Sequence, residues 1–441
     1  MEINGEKRSI QENETSGLFS LAFLALLVGG LTGLVGALFK TTLAYMDRLR
    51  NAYILVERQD PLIGFIFFIF LCALAVFISV FLVQRFSIFA QGSGIPHVEA
   101  LLEERAEMPS LALLPVKFIG GALAIGAGLM LGREGPSVQM GASLAQFVSQ
   151  RFNRKWRDFR VLLAAGAGAG LATAFDAPLA GAIFVLEELI QKFEHRIAIM
   201  ALAASASAIS VAHAIFGGKT EFHVPHIVLA TPKELPLYLL LGFVSGFLAI
   251  TYNFAIIRML NFSTQLTWAS PPWRASILGA AMGILAWNFP EFVGGGQELT
   301  QQALDNAQPI EVVLRIFLLR FILGAACYSI GAPGGIFAPM LALGAQFGLI
   351  FNAACLYLAP SLVTSPTAFA LIGMTALFSG ACRAPLTGII LVTEMTANTS
   401  QLLPMLCACF TAMLPPILFN YPSIYEALCD RTLQRIDHQI T

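Results

Sequence analysis

Residues 132–141, GREGPSVQMG, place an arginine and a glutamate, Arg133 and Glu134, inside a long apolar stretch; residues 111–131 just before them read LALLPVKFIGGALAIGAGLML. An ionised carboxylate at membrane depth costs roughly 2.5–3.5 kcal/mol on insertion scales unless something local compensates it. Gly132 and Gly135 bracket the pair and Pro136 follows. That order predicts a tight turn feeding a helix, with proline in the first turn and Glu134 near the amino-terminal end. Such a helix start offers unpaired N–H groups and about half a positive charge. It would hold a carboxylate or a free anion, so Glu134 reads as an internal anion sharing its position with a transported one. A structural carboxylate paired with Arg133 is the plainer alternative.

Two further stretches carry polar groups of the same kind. QGSGIP, residues 91–96, is a glycine-rich turn with a serine and an early proline, whose N–H groups and Ser93 hydroxyl could coordinate an anion. It could equally be an ordinary helix start. The acidic residues that follow, Glu99, Glu103, Glu104 and Glu107, predict a wet face, and His97 reads as a boundary residue. Farther on, Glu187 and Glu188 end an apolar segment. Neighbours on a helix point about 100° apart, so the two should not share one lining; one can carry protons while the other meets a loop or a partner.

These residues must be positioned by membrane helices. Of 441 residues, 57% are hydrophobic and 12% charged, about half the charge of a soluble domain. The apolar runs reach about 20 residues, too long for the alternating strands of a membrane barrel. The reading is an all-α polytopic membrane protein. A net charge of −1 argues against nucleic acid as a partner. The seven cysteines are scattered and read as small core residues, and His213, His223 and His226 are spaced too irregularly for a metal site. No HExxH and no nucleophile with a base nearby appears, so the chain does not read as an enzyme.

Spans are expected at 17–46 and 61–83, with Arg48, Arg50 and Arg58 around the first polar break. The arginine-rich connection 151–160 is expected on the cytoplasmic side. The first apolar run is too long for a signal peptide, so residues 1–15 are expected to remain as a short cytoplasmic tail. No attached soluble domain is expected, since only residues 426–441 follow Tyr425.

The interruptions occur twice. Gly92–Ser93–Gly94 answers Gly294–Gly295–Gly296 at a separation of 202, GREGPSVQMG answers GIFAPMLALG at 203, and DAPLAGAIFVLEE answers RAPLTGIILVTEM at 207. Paired breaks in corresponding halves point to a central substrate site. The halves are expected at 16–230 and 231–430, with residues 431–441 as a tail. Glu134 corresponds to Phe337, a titratable carboxylate in one half where the other offers an apolar plug.

GSGIP at Gly92–Pro96 (Gly92, Ser93, Gly94, Ile95, Pro96), GREGP (Gly132, Arg133, Glu134, Gly135, Pro136) and GIFAP (Gly335, Ile336, Phe337, Ala338, Pro339) resemble the three anion-binding motifs of the CLC chloride channel and transporter family. The resemblance implies a CLC-type fold of two inverted-topology repeats with broken and tilted helices, forming a homodimer with one pathway per subunit. It implies chloride as bound substrate, with Ser93, the Ile336 and Phe337 N–H groups and, less distinctly, the Tyr425 hydroxyl as ligands. Glu134 would be the external gating glutamate, Glu188 the internal proton-transfer residue and Glu187 its helper. Both glutamates together imply a chloride/proton antiporter moving about two chlorides per proton, of the short prokaryotic type and in the inner membrane, with no other cofactor. A passive, voltage- or pH-modulated chloride channel of the same fold is the alternative.

Overall fold

The computed structural model describes residues 2–57, 61–218, 220–224, 231–358, 360 and 365–440; Arg58 and His226 lie outside them. The first half contains α1 (Glu2–Glu57), α2 (Pro61–Phe86), α3 (Ile95–Leu102), α4 (Leu113–Gly126), α5 (Glu134–Arg151), α6 (Trp156–Phe175), α7 (Pro178–Phe184) and α8 (His195–Phe216). A π turn, Val185–Leu189, prolongs α7. The second half contains α9 (Leu235–Gln265), α10 (Pro271–Asn288), α11 (Gln297–Leu304), α12 (Ile310–Ser329), α13 (Phe337–Leu358), α14 (Pro366–Cys382), α15 (Pro385–Thr396) and α16 (Leu402–Leu418). One more helix, α17 (Ile424–Ile440), follows. Among the described residues six helices are long and apolar enough to cross a membrane.

α1–α8 correspond in order to α9–α16. The match is residue-exact at α3 and α11, both eight residues long and 202 apart. Packing repeats as well. A side chain on Gly29 or Gly33 of α1 would collide with the Ala204 or Ala208 carbonyl of α8, and Gly242 and Gly246 of α9 stand the same way against Ala408 and Ala412 of α16. Small residues let these backbones touch, which is how helices bind tightly where lipid removes the hydrophobic drive.

The halves meet through backbone. Gly132 and Gly335 form an antiparallel bridge, exchanging N–H···O bonds of 2.8 and 2.7 Å. These two residues are equivalent, 203 apart. An antiparallel pairing between equivalent residues puts a local two-fold axis between them, as expected of two halves related by pseudo-two-fold symmetry.

One boundary differs from expectation. α1 begins at Glu2, inside the stretch expected as a tail, and it runs through Arg48 and Arg50 to Glu57, past the span end expected at residue 46. Arg50 is neutralised by Asp47 at 2.7 Å and donates to the Gly126 carbonyl at 3.3 Å, so its charge does not force the chain out of the helix. α17 runs unbroken across positions 430 and 431. It is the helix without a counterpart in the repeat, and it delivers Tyr425.

Candidate anion site

Four broken segments converge at the junction of the halves. Gly92 and Gly94 adopt φ of 61° and 85°, left-handed values that side chains resist, and the turn they make opens α3 at Ile95 and Pro96. Lys117, fully buried on α4, fastens this turn by donating to the Ala90 carbonyl at 3.1 Å and the Gly92 carbonyl at 2.7 Å. In the other half Arg320 on α12 does the same, donating to Phe292 at 2.9 Å and Gly294 at 3.0 Å. Lys117 and Arg320 are 203 apart, and their carbonyl partners 202 apart. Both were missed from the sequence, although a cation recurring at the repeat spacing inside apolar runs was a usable signal. Their charge is spent on carbonyls, which leaves the anion motifs themselves with neutral donors.

Glu134 is the first residue of α5, with Gly135 and Pro136 in its first turn, and it is fully buried. Its Oε1 accepts a hydrogen bond of 2.7 Å from the N–H of Phe337, the residue that opens α13. The carboxylate therefore lies at the start of the helix contributed by its own repeat counterpart. Gly132 and Gly335 make this approach possible: a Cβ on either would overlap the Glu134 carboxylate oxygens. Arg133 is not its partner. The guanidinium donates through Nε to the Ala174 carbonyl at 2.9 Å and pairs with Glu221, a residue the sequence reading did not single out.

Around this point three buried oxygens have no hydrogen-bond partner within the protein: Glu134 Oε2, Ser93 Oγ and Tyr425 Oη. Ser93 Oγ lies against Gly135, where a Cβ would overlap it, and the Tyr425 ring packs 5.9 Å from the Phe337 ring. Buried hydroxyls almost always have partners, so this donor set fits a small anion that accepts O–H and N–H bonds. Ile336, Ala338 and Pro339 are buried in the same segment. The Phe337 ring does not stand alone; Phe175, Phe184 and Phe378 pack around it at 4.4–5.9 Å.

Glu188 is buried in the π turn after α7 and borders a cavity of about 810 Å³. Six carboxylates line it against three cations, Glu99 and Glu426 among the acids. Glu187 borders the same cavity, against the expectation that neighbours would separate. The π turn narrows the step between them to roughly 80°. Their carboxylates nonetheless differ. Glu187 accepts from the Leu386 and Thr387 N–H groups at 3.0 and 2.6 Å and from the Thr387 hydroxyl at 2.7 Å, capping α15. Its repeat counterpart Glu394 caps α7, accepting from Leu179 and Ala180 at 3.0 and 2.8 Å. Pro178 and Pro385 open these helices without an N–H, so each glutamate reaches the next two donors.

Residues 75–414 match the family model described as voltage gated chloride channel. The chain is 38% identical over 423 residues to the H(+)/Cl(-) exchange transporter ClcA of Vibrio parahaemolyticus, covering 94% of this chain and 90% of that one. It is also 38% identical over 438 residues to ClcA of Salmonella agona, covering 98% and 92%. Among solved structures, a slow cyanobacterial Cl-/H+ antiporter aligns with a TM-score of 0.90 at 32% identity over 94% of this chain and 98% of its own. A CLC-type fluoride/proton antiporter aligns with a TM-score of 0.77 at 25% identity over 90% of this chain and 95% of its own. With repeated halves joined at Gly132 and Gly335, and with a model match over most of its length, this chain belongs to the voltage gated chloride channel family.

Proposed function

We propose that this protein is a chloride/proton antiporter of a bacterial inner membrane, working as a homodimer with one pathway in each subunit. In this reading the halves are residues 16–230 and 231–430, with 1–15 and 431–441 as tails. The observation that carries it is the Glu134 carboxylate seated on the Phe337 N–H, with the Ser93 and Tyr425 hydroxyls beside it unmatched.

Chloride binds where those hydroxyls and the Ile336 and Phe337 amides aim. All are neutral donors, so the ion is held without being trapped. Ionised Glu134 competes with chloride for the same amides. Protonation removes its charge and weakens its claim on them, so the side chain leaves and chloride enters. Glu188 supplies or collects the proton from the acidic inner cavity, and Glu187 holds the α15 start in place beside it. Coupling follows because Glu134 leaves the anion path only with its proton. The relatives named as Cl-/H+ exchangers support the same reading.

The test is proton movement in proteoliposomes under an imposed chloride gradient, with no initial pH gradient and the membrane potential set by potassium and valinomycin. Protons driven against their electrochemical gradient establish exchange. Chloride flux without proton movement replaces the antiporter with a channel.

A further inference from the structure

Three charged residues from separate parts of the chain meet next to Glu134. Glu221, in the segment after α8, pairs through Oε1 with Arg133 Nη2 and through Oε2 with Lys40 Nζ of α1 at 2.7 Å. The Glu221 and Arg133 side chains are 8% and 10% exposed, and Lys40 is 36% exposed. The segment is also fixed independently of these pairs. Phe222 N–H donates to the Met395 carbonyl at 3.0 Å, while His223 and Gln301 exchange bonds of 2.9 and 2.7 Å. The second half of the molecule thus delivers Glu221 to two cations of the first half.

The triad stands close to the anion site. Glu221 and Phe222 line a crevice of about 10 Å³ together with Phe175 and Ala338, the second residue of α13. A space of that size holds at most one water, so solvent screens the buried Glu221–Arg133 pair weakly, while Lys40 reaches the surface. Burial pushes the Glu221 carboxyl upward, but the charges of Arg133 and Lys40 outweigh it and hold the group below the usual carboxylate range. Glu221 is therefore charged throughout any neutral assay. Two cations against one carboxylate leave the triad a net single positive charge, and Arg133 is the member that adjoins Glu134. Other groups do not cancel it: Asp47, whose charge is felt at Arg133, is paired with Arg50 at 2.7 Å, and the nearby Cys382 and Tyr425 carry a thiol and a phenol, which are neutral groups at their ordinary values.

We propose that Glu221 and Lys40, acting through Arg133, are positioning residues that set the pH range over which Glu134 takes up its proton, and hence the pH range of transport. The proposal rests on the reading of Glu134 as the gate. Charge arithmetic gives its test. Glu221→Gln raises the net charge of the triad to two, Lys40→Met lowers it to zero, and the double variant restores one. More positive charge favours ionised Glu134.

The experiment is chloride flux from proteoliposomes as a function of pH for the wild type and these three variants. The midpoint of Glu221→Gln is expected to move acid by about one pH unit, tenfold in proton concentration. That of Lys40→Met is expected to move alkaline, and the double variant to return toward wild type. Structural damage would not move two variants in opposite directions and cancel in the double. Shifts of one sign, or none, overturn the proposal. If Glu221→Gln does not fold, Lys40→Met, at a partly exposed position, decides alone: an alkaline shift supports the proposal and an unmoved midpoint overturns it. Glu134→Ala separates the two failures. If flux through that variant keeps the wild-type pH dependence, the gate reading fails; if the dependence vanishes there yet the triad variants leave the midpoint unmoved, only the triad proposal does.

Discussion

Glu134 faces a choice between its own burial and the amides of its counterpart segment. The Phe337 N–H offsets part of the cost of burying it, and Oε2 is left without a protein partner. On the proposed reading, a carboxylate held this way gives up its place to another anion. Glu134→Ala is expected to leave chloride flux intact or faster while ending proton coupling, and Glu188→Ala to cut proton movement while anions still pass; proton pumping that persists in either removes that residue from the path. Tyr425→Phe deletes only the hydroxyl from a fully buried ring. A hydrogen bond to a charged group is worth about 1.5 kcal/mol or more, so chloride binding should weaken about tenfold. Calorimetric titration with an unchanged affinity would exclude Tyr425 as a ligand.

The broken helices are held by devices that recur at the repeat spacing. Glu187 caps α15 and Glu394 caps α7, each reaching across the pseudo-symmetry axis into the other half. Glu187→Gln and Glu394→Gln should each lower stability by about 1–2 kcal/mol, read as a shift in thermal melting. Proton transport should survive Glu187→Gln if capping is its task. The Glu221 segment adds an acid-sensitive clasp. Because the folded protein holds this carboxyl below its ordinary value of 4.5, the clasp contributes fully above that pH and is lost as pH falls through the lowered value. Melting temperature should therefore drop on acidification more steeply in the wild type than in Glu221→Gln.

On the scale of the whole molecule, eight helices are matched by eight, and the site forms where the halves exchange backbone bonds rather than inside either half. Large apolar side chains remain exposed on α7, α15 and α16, among them Leu179, Leu386, Leu406 and Phe410. Lipid or a second copy would cover them, and the homodimer reading assigns them to the copy. Light scattering of the detergent-solubilised protein should then return twice the 47.4 kDa chain mass after detergent correction. A single chain mass would leave the pathway intact but end that reading.

The membrane class, the two repeated halves and the three glycine-rich breaks were legible in the sequence because they depend on local composition and on spacing along the chain, whereas the inverted sense of the halves came only from the family resemblance. A proline in a first turn or a glycine at left-handed φ is demanded by its own backbone, and an apolar run needs no partner to be recognised. Pairings were not legible. Which carboxylate meets Arg133 was settled by a loop 88 residues away, not by the neighbouring Glu134. The separate surroundings of Glu187 and Glu188 followed from a π turn and from the opposing helix start. The end of α1 depended on whether Arg50 found Asp47 and a carbonyl. A charge in a low-dielectric interior takes its role from whatever the fold brings within a few ångströms, and only the tertiary structure decides that.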